Sequence, residues 1–376
     1  MDKILLATAL AFIITYTSIP VIINVSVIKK LFDEPNARKS HSNPIPSLGG
    51  LGIFAGLIMA CLMTISFDSA VEFQYFFAAC LVIFFLGLKD DILVLTALKK
   101  FIGQIIAAFI IIYKGGIIIK SMHGLFGVHE LPEVFSLALT YFTVIVIINS
   151  FNLIDGVDGL AGSLGLFTSL VFGIYFYIVG HLAYSTFAFA LAGTLLAFLI
   201  FNHSPARIFM GDTGSLLIGM ANAILVIHFI NVADSPGTPF PIDAAPAVGV
   251  AILIVPLYDT LRVFAIRIFN RRSPFSPDRN HVHHLLLDRG MSHTATTFTL
   301  VSVNILLAVA AYYLSFIGVN YLFALLVGVA SAGIGLLYFT KPKPKLFLAE
   351  EDELSDRPVQ SKIMPLNPNK SVAEQN

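Results

Sequence analysis

Charge is scarce in this chain. Asp, Glu, Lys and Arg make up 12% of the 376 residues, against 57% hydrophobic. That balance excludes a soluble domain, which could not bury so much apolar surface behind so few polar side chains. Cysteine is nearly absent: Cys61 and Cys80 both fall inside apolar runs, where they are packing residues and say nothing about redox compartment. No small-residue cleavage site closes the first apolar run, so it is read as a span and not as a removed signal peptide. No internal repeat of the kind that marks transporters is visible.

Long apolar runs are what the chain has instead. Eleven are read as membrane spans: 4–28, 47–67, 73–88, 100–113, 134–148, 160–179, 183–201, 214–231, 245–268, 296–317 and 320–339. Most approach the roughly 20 residues that cross a hydrocarbon core as helix, and the fourth is short. The predicted fold is all-α, a polytopic transmembrane helical bundle over residues 1–340. The Pro-, Lys- and Glu-rich tail, 341–376, lacks apolar periodicity and is read as disordered. Of the 23 basic residues, only Lys3, Lys114 and Lys120 fall on one side of the spans. The positive-inside rule therefore places the N-terminus outside and the C-terminus in the cytoplasm. The formal net charge of zero hides this segregation.

The cytoplasmic loops are then 29–47, 89–99, 149–159, 202–213 and 269–295, and each polar cluster singled out below falls in one of them. The external segment 114–133, with its run Ile117 to Ile119, is predicted to form a small hairpin, and 232–244 an irregular connector. Carboxylates at the membrane boundary are costly, so their presence points to function.

Asp90 and Asp91 suit a divalent metal holding phosphate oxygens, or else cap the next helix. No third acid stands at Leu93 or Val94, which excludes the D-D-x-x-D pattern of prenyl-chain synthases. Asp155-Gly156 and Asp158-Gly159 read either as tight turns or, with Asn149 and Asn152 upstream, as several oxygen ligands on a compact backbone. In Asn202 to Ser215, Asp212, Thr213 and Ser215 either cap the following helix or form an anion site at its N-terminus. There Asn202 offers a donor and an acceptor for a base edge, Phe209 a stacking face, and Arg207 a phosphate clamp. His281, His283 and His284 lack the cysteine or fourth ligand of a zinc site and, with Arg272 and Arg279, fit a phosphate contact. Arg38, Lys39 and His41 read as a positive-inside anchor or as a lid over a phosphorylated ligand. His123, His129, His181 and His228 receive no role. These parts add up to phosphoryl transfer from a nucleotide diphosphate to a lipid-embedded acceptor.

Asp90-Asp91, N-S-F-N-L-I-D-G-V-D-G-L, I-F-M-G-D-T-G-S and H-V-H-H together resemble the motifs of the polyprenyl-phosphate N-acetylhexosamine-1-phosphate transferases, of the glycosyltransferase 4 type, over residues 31–295. The resemblance implies Mg²⁺, with Mn²⁺ as a substitute, held by Asp212 and Asn152. It implies Asp90 as the base toward the lipid phosphate, Asp91 beside the diphosphate, and Asp155 and Asp158 near metal and nucleotide. Lys100 would reach phosphate, Asn202 and Phe209 would contact uracil, and His281, His283 and His284 would face sugar and phosphate. The substrates implied are undecaprenyl phosphate and a UDP-N-acetylhexosamine at the bacterial plasma membrane, with a homodimer as a family expectation and no nucleic-acid partner. R-R-S-P-F-S-P-D-R-N-H-V-H-H resembles the UDP-GlcNAc branch, where the enzymes taking UDP-MurNAc-pentapeptide show three consecutive histidines. The readings from other classes are a transporter, which would need more mid-span polar residues than Asp259 and Arg262, and a non-catalytic lipid-carrier scaffold.

Overall fold

A computed structural model of the protein describes residues 1–33, 45–235, 237–273 and 280–340. Expectations for Arg38, Lys39, His41, Arg279 and the tail 341–376 lie outside the described residues. Within them the chain is helical: α1 (Asp2–Lys29), α2 (Gly49–Thr64), α3 (Glu72–Leu93), α4 (Ala97–Tyr113), α5 (Glu133–Ile154), α6 (Leu160–Ile178), α7 (Leu182–Asn202), α8 (Gly211–Ala233), α9 (Ala245–Ile252), α10 (Ile254–Phe269), α11 (Val282–Leu287), α12 (His293–Tyr313) and α13 (Val319–Phe339). One short antiparallel pair, β1 (Phe32–Asp33) with β2 (Ile45–Pro46), joins Phe32 to Pro46.

Each apolar run coincides with a helix, the ninth with a bent pair. Seven helices are long and apolar enough to cross a membrane, and eight if the bent pair is one span. This is a multi-pass membrane protein. Burial grades across the bundle as lipid exposure demands. In α8, Leu216 through Ile227 are buried almost without interruption, with α3 and α5 packed on it. In α13, Tyr321, Leu336 and Phe339 face outward, an arrangement that suits a hydrocarbon solvent and would fail in water.

The ninth run, read as one span, instead breaks at Leu253, where α9 and α10 meet at 87°. Pro256 has no N–H for the Ile252 carbonyl, which frees backbone groups where water is scarce. Asn304 of α12 replaces them: its Nδ2 donates to Ile252 O at 2.8 Å and its Oδ1 accepts from Val255 N at 3.0 Å. Asn304 is fully buried. The hairpin expected in 114–133 exists but is displaced from Ile117–Ile119. Its ladder runs from Lys120–Leu131 through the Ser121–Glu130 bridge to Met122–His129.

Two loop boundaries also shift. Asp90 and Asp91 belong to the last turns of α3, and Asn149 and Asn152 to the last turns of α5. The backbone bonds of these turns persist through the polar residues, so polarity does not mark the helix ends. At this end α3 and α8 approach so closely that a Cβ on Gly87 would sit 2.5 Å from Thr213 Cα and 2.7 Å from Asp212 C. Only glycine fits there, and the contact brings Asp90-Asp91 against the first turn of α8.

Candidate active site

The first turn of α8 is the centre of the site. Asp91 reaches across from α3 and takes three of its donors: Asp212 N at 2.7 Å, Thr213 N at 3.0 Å and Thr213 Oγ1 at 2.5 Å. The capping role expected as an alternative is therefore real, but the helix capped is α8 and not the next one, α4. With its N–H groups satisfied by Asp91, α8 holds the Asp212 carboxylate outward, where Asn152 Nδ2 donates to it at 2.8 Å and also to Ser215 Oγ at 3.0 Å.

Lys100 in the first turns of α4 bridges the two acids: its Nζ lies 2.5 Å from Asp212 Oδ2 and pairs with Asp90 Oδ2. Asp90 Oδ1 accepts from Leu95 N at 2.5 Å, which folds the α3–α4 turn over the pair. Asp155 lies just past the end of α5, within electrostatic reach of Asp91 and Asp212. Burial, then the negative charges of Asp212, Asp91 and Asp158, push its carboxyl up to about 8. One ammonium, Lys100, thus pairs with two carboxylates, Asp90 and Asp212, while a third, Asp91, binds the same turn of α8.

Among the described residues, no three His, Cys, Asp or Glu side chains gather closely enough to hold a metal by themselves. The all-oxygen donor set and the excess of negative charge nevertheless fit Mg²⁺, which binds through one or two carboxylates and takes its other ligands from substrate phosphates and water. Lys100 shows that a cation is accommodated between Asp90 and Asp212.

The segment 155–159 is clamped from three sides. His283, 1% exposed, lies on Gly156 so tightly that a Cβ there would be 2.4 Å from its Nε2. Its Nδ1 is buried with no partner among the described residues, and burial followed by the neighbouring His284 pushes its pKa down to about 3. Asp158 turns away from the acid cluster. Its carboxylate pairs with His293 Nδ1 at 3.2 Å and accepts from Ala206 N at 3.2 Å. Burial raises the Asp158 carboxyl, but His293, Ala206 and Ser204 outweigh it and hold it below the usual carboxylate range. Thr297 Oγ1 donates to Asp158 O at 2.9 Å.

Asn202 braces the third side: its Oδ1 accepts from Gly159 N and its Nδ2 donates to Ile208 O, each at 2.9 Å, with the side chain buried. The donor and acceptor expected to read a base edge are engaged inside the protein. Asn149 is likewise committed elsewhere, donating to Gln104 Oε1 at 2.8 Å, so it is not a ligand at the site. Phe209 is half-buried and tied through its main chain to β2, with its N–H donating to Pro46 O at 2.7 Å. Arg207 is exposed, its guanidinium 5.4 Å from the Phe201 ring.

His281 is buried, its Nδ1 2.7 Å from Asp259 Oδ2. His284 lies beside His283, ring centroids 4.3 Å apart. The structure thus joins Asp90, Asp91, Lys100, Asn152 and Asp212 through direct contacts, leaves Asp155 within electrostatic reach of them, and sets His283 against the segment carrying Asp155. Sequence reasoning overlooked Gly87, His293 and Thr297, and met Asp259 only as a mid-span exception. The available signals were a charge in an apolar helix for Asp259 and a glycine three residues before the acid pair for Gly87.

Comparison with known proteins finds relatives over most of the chain. The family description "Glycosyl transferase family 4" matches residues 73–230, the stretch that carries every acid of the cluster. The undecaprenyl-phosphate alpha-N-acetylglucosaminyl 1-phosphate transferase of Yersinia pestis is 31% identical over 294 residues, covering 77% of this chain and 76% of that protein. The decaprenyl-phosphate N-acetylglucosaminephosphotransferase of Mycolicibacterium smegmatis is 35% identical over 283 residues, 69% of each chain. A probable undecaprenyl-phosphate N-acetylglucosaminyl 1-phosphate transferase of Bacillus subtilis is 29% identical over 323 residues, 84% of this chain and 87% of that one. Similarity of this extent makes the chain a member of glycosyl transferase family 4.

Proposed function

We propose that the protein transfers N-acetylhexosamine 1-phosphate, with GlcNAc as the sugar, from a UDP-sugar to undecaprenyl phosphate on the cytoplasmic face of a bacterial plasma membrane. The observation that carries this reading is the junction of α3, α4, α5 and α8, where Lys100 pairs with Asp90 and Asp212, Asp91 holds the first turn of α8, and Asn152 donates to Asp212. Such a site suits a diphosphate brought in with a divalent cation and offers little to an uncharged substrate. In the reaction an oxygen of the lipid phosphate forms a bond to the β-phosphorus, the α–β bridging P–O bond breaks, and UMP leaves with that oxygen.

Asp90, paired with Lys100, takes the role of receiving a proton from the incoming lipid phosphate. Lys100 contributes positive charge where the phosphates meet, and Asp91 keeps the first turn of α8 in place. Asp212 and Asn152 would hold Mg²⁺, Asn152 by its carbonyl oxygen, and the bound ion would neutralise the diphosphate and polarise its oxygens. His283, whose ring lies on Gly156 beside Asp155, is the histidine of H-V-H-H that we assign to meet a sugar or phosphate. We read the fold as eleven spans with the N-terminus outside, the bent pair serving as the ninth, and a homodimer as the assembled form.

The test uses protein purified in detergent with undecaprenyl phosphate, Mg²⁺ and radiolabelled UDP-GlcNAc, scoring label in the lipid phase. EDTA-sensitive lipid-linked GlcNAc with release of UMP is the expected result. Transfer only from UDP-MurNAc-pentapeptide or another UDP-sugar would overturn the sugar assignment, and no transfer from any would overturn the reaction in favour of a lipid-carrier scaffold.

A further inference from the structure

Asp259 sits on α10 as a carboxylate 2% exposed, among the buried Ile254, Pro256, Thr260, Val263 and Arg267 of the same helix. Such a group persists only where partners compensate its burial. Its partners all lie on the segment entering α11 or beside it. Oδ2 meets His281 Nδ1 at 2.7 Å; Oδ1 accepts from Val282 N at 2.9 Å and from Arg262 Nη2 at 2.8 Å. The same Arg262 nitrogen donates to Asn280 O at 2.5 Å. On the far side of the imidazole, Arg267 Nη2 lies 3.4 Å from His281 Nε2.

These contacts determine the state of His281. A carboxylate at Nδ1 requires the proton there, and a guanidinium at Nε2 requires a lone pair, so the ring is the Nδ1–H tautomer. A buried ring fixed at both nitrogens is not available to substrate. What it fixes is the start of α11, and two residues on, His283 rests on Gly156 beside Asp155.

We infer that Asp259 is a positioning residue that acts through His281 and Val282 N, setting α11 so that His283 holds the Asp155 segment against the acid cluster. The carboxylate takes no part in the chemistry. Its removal leaves Asp90, Lys100 and Asp212 intact but lets the histidine helix drift from Gly156. Misplacement of about 1 Å at such a site costs up to about 10²-fold in rate.

The activity arm of the test rests on the proposed transferase reading; a second arm does not. In the first arm, lipid-linked product formation is measured for wild type, Asp259→Asn, His281→Ala and the double variant, using kcat per folded protein. Each single variant is expected to lose about tenfold or more, and the double no more than the worse single, because both act through one contact. Losses that multiply in the double variant, or an Asp259→Asn rate within about twofold of wild type, would overturn the inference. In the second arm, wild-type protein carrying ¹⁵N-labelled histidine is examined by NMR, the His281 signal being assigned by its loss in His281→Ala. A proton on Nδ1 is expected, and a proton on Nε2 overturns the inference. A wild type inactive with every UDP-sugar would count against the transferase reading alone, and the NMR arm would then decide this one. It decides equally if Asp259→Asn does not fold.

Discussion

Replacing Gly87 with alanine tests whether the site depends on the approach of α3 to α8. The added Cβ would lie 2.5 Å from Thr213 Cα, 2.6 Å from Thr213 N and 2.7 Å from Asp212 C. These are backbone atoms of a buried turn, and ordinary carbon contacts are about 3.5–4.0 Å, so the helices must part by roughly 1 Å. Overpacking of this kind costs about 1–3 kcal/mol, while alanine in place of glycine inside a helix returns about 1 kcal/mol. The net change in stability is therefore modest. The displacement acts differently on the site. Asp91 holds Asp212 N, Thr213 N and Thr213 Oγ1 at 2.7, 3.0 and 2.5 Å, and Lys100 holds Asp212 at 2.5 Å. Adding about 1 Å takes these to or past the limit of a hydrogen bond. Transfer should then fall by about 10²-fold, the scale expected for a misplacement of that size. Rates come from lipid-phase label, and melting from a thiol-reactive dye, which reports unfolding because Cys61 and Cys80 are fully buried. Gly328→Ala on α13, where a Cβ meets nothing within 4 Å, is the control and should keep both values. A Gly87→Ala enzyme within about twofold of wild type would refute the argument.

Asp212→Ala should abolish divalent-dependent transfer while the dye-reported melt stays near wild type; near-normal activity would remove Asp212 from the metal role. Asn202→Ala strands Gly159 N–H and Ile208 C=O in the interior, at about 1–3 kcal/mol for an unsatisfied group, so the melting temperature should drop. A nucleobase-reading role predicts the opposite pattern, an unchanged melt with a raised KM for the UDP-sugar. His283 is held neutral in the fold, its pKa pushed down to about 3, whereas the unfolded chain takes up that proton below about 6.5. The unfolded state thus binds more protons in this window, so the stabilisation is full above about pH 6.5 and is lost as pH falls toward 3. Melting temperatures measured from pH 7 to pH 5 should decline, and less steeply in His283→Gln.

Much of the architecture could be read without coordinates. Apolar runs near 20 residues have one stable form in lipid, and the structure has a helix at each of them. Alternation of sides then sends Asp90-Asp91, Asn152, Asp155 and Asp212 to one face, where the structure gathers them. What the residues do there was legible only in part. Asp91 and Thr213 are 122 positions apart, and nothing local says that one caps the helix carrying the other. Asn202 and Asn149 have the chemistry of ligands, yet neighbouring helices spend their hydrogen bonds internally. The ninth run reads as one apolar stretch, and only Asn304, 52 residues beyond Ile252, satisfies the break at Leu253. Composition and spacing determined that this chain crosses the membrane repeatedly and that Asp90, Asp91, Asp155 and Asp212 fall in alternate connections between the runs. Tertiary structure decided which acids face each other, because a hydrogen bond forms only within about 3.5 Å and that distance is set by how closely whole helices pack.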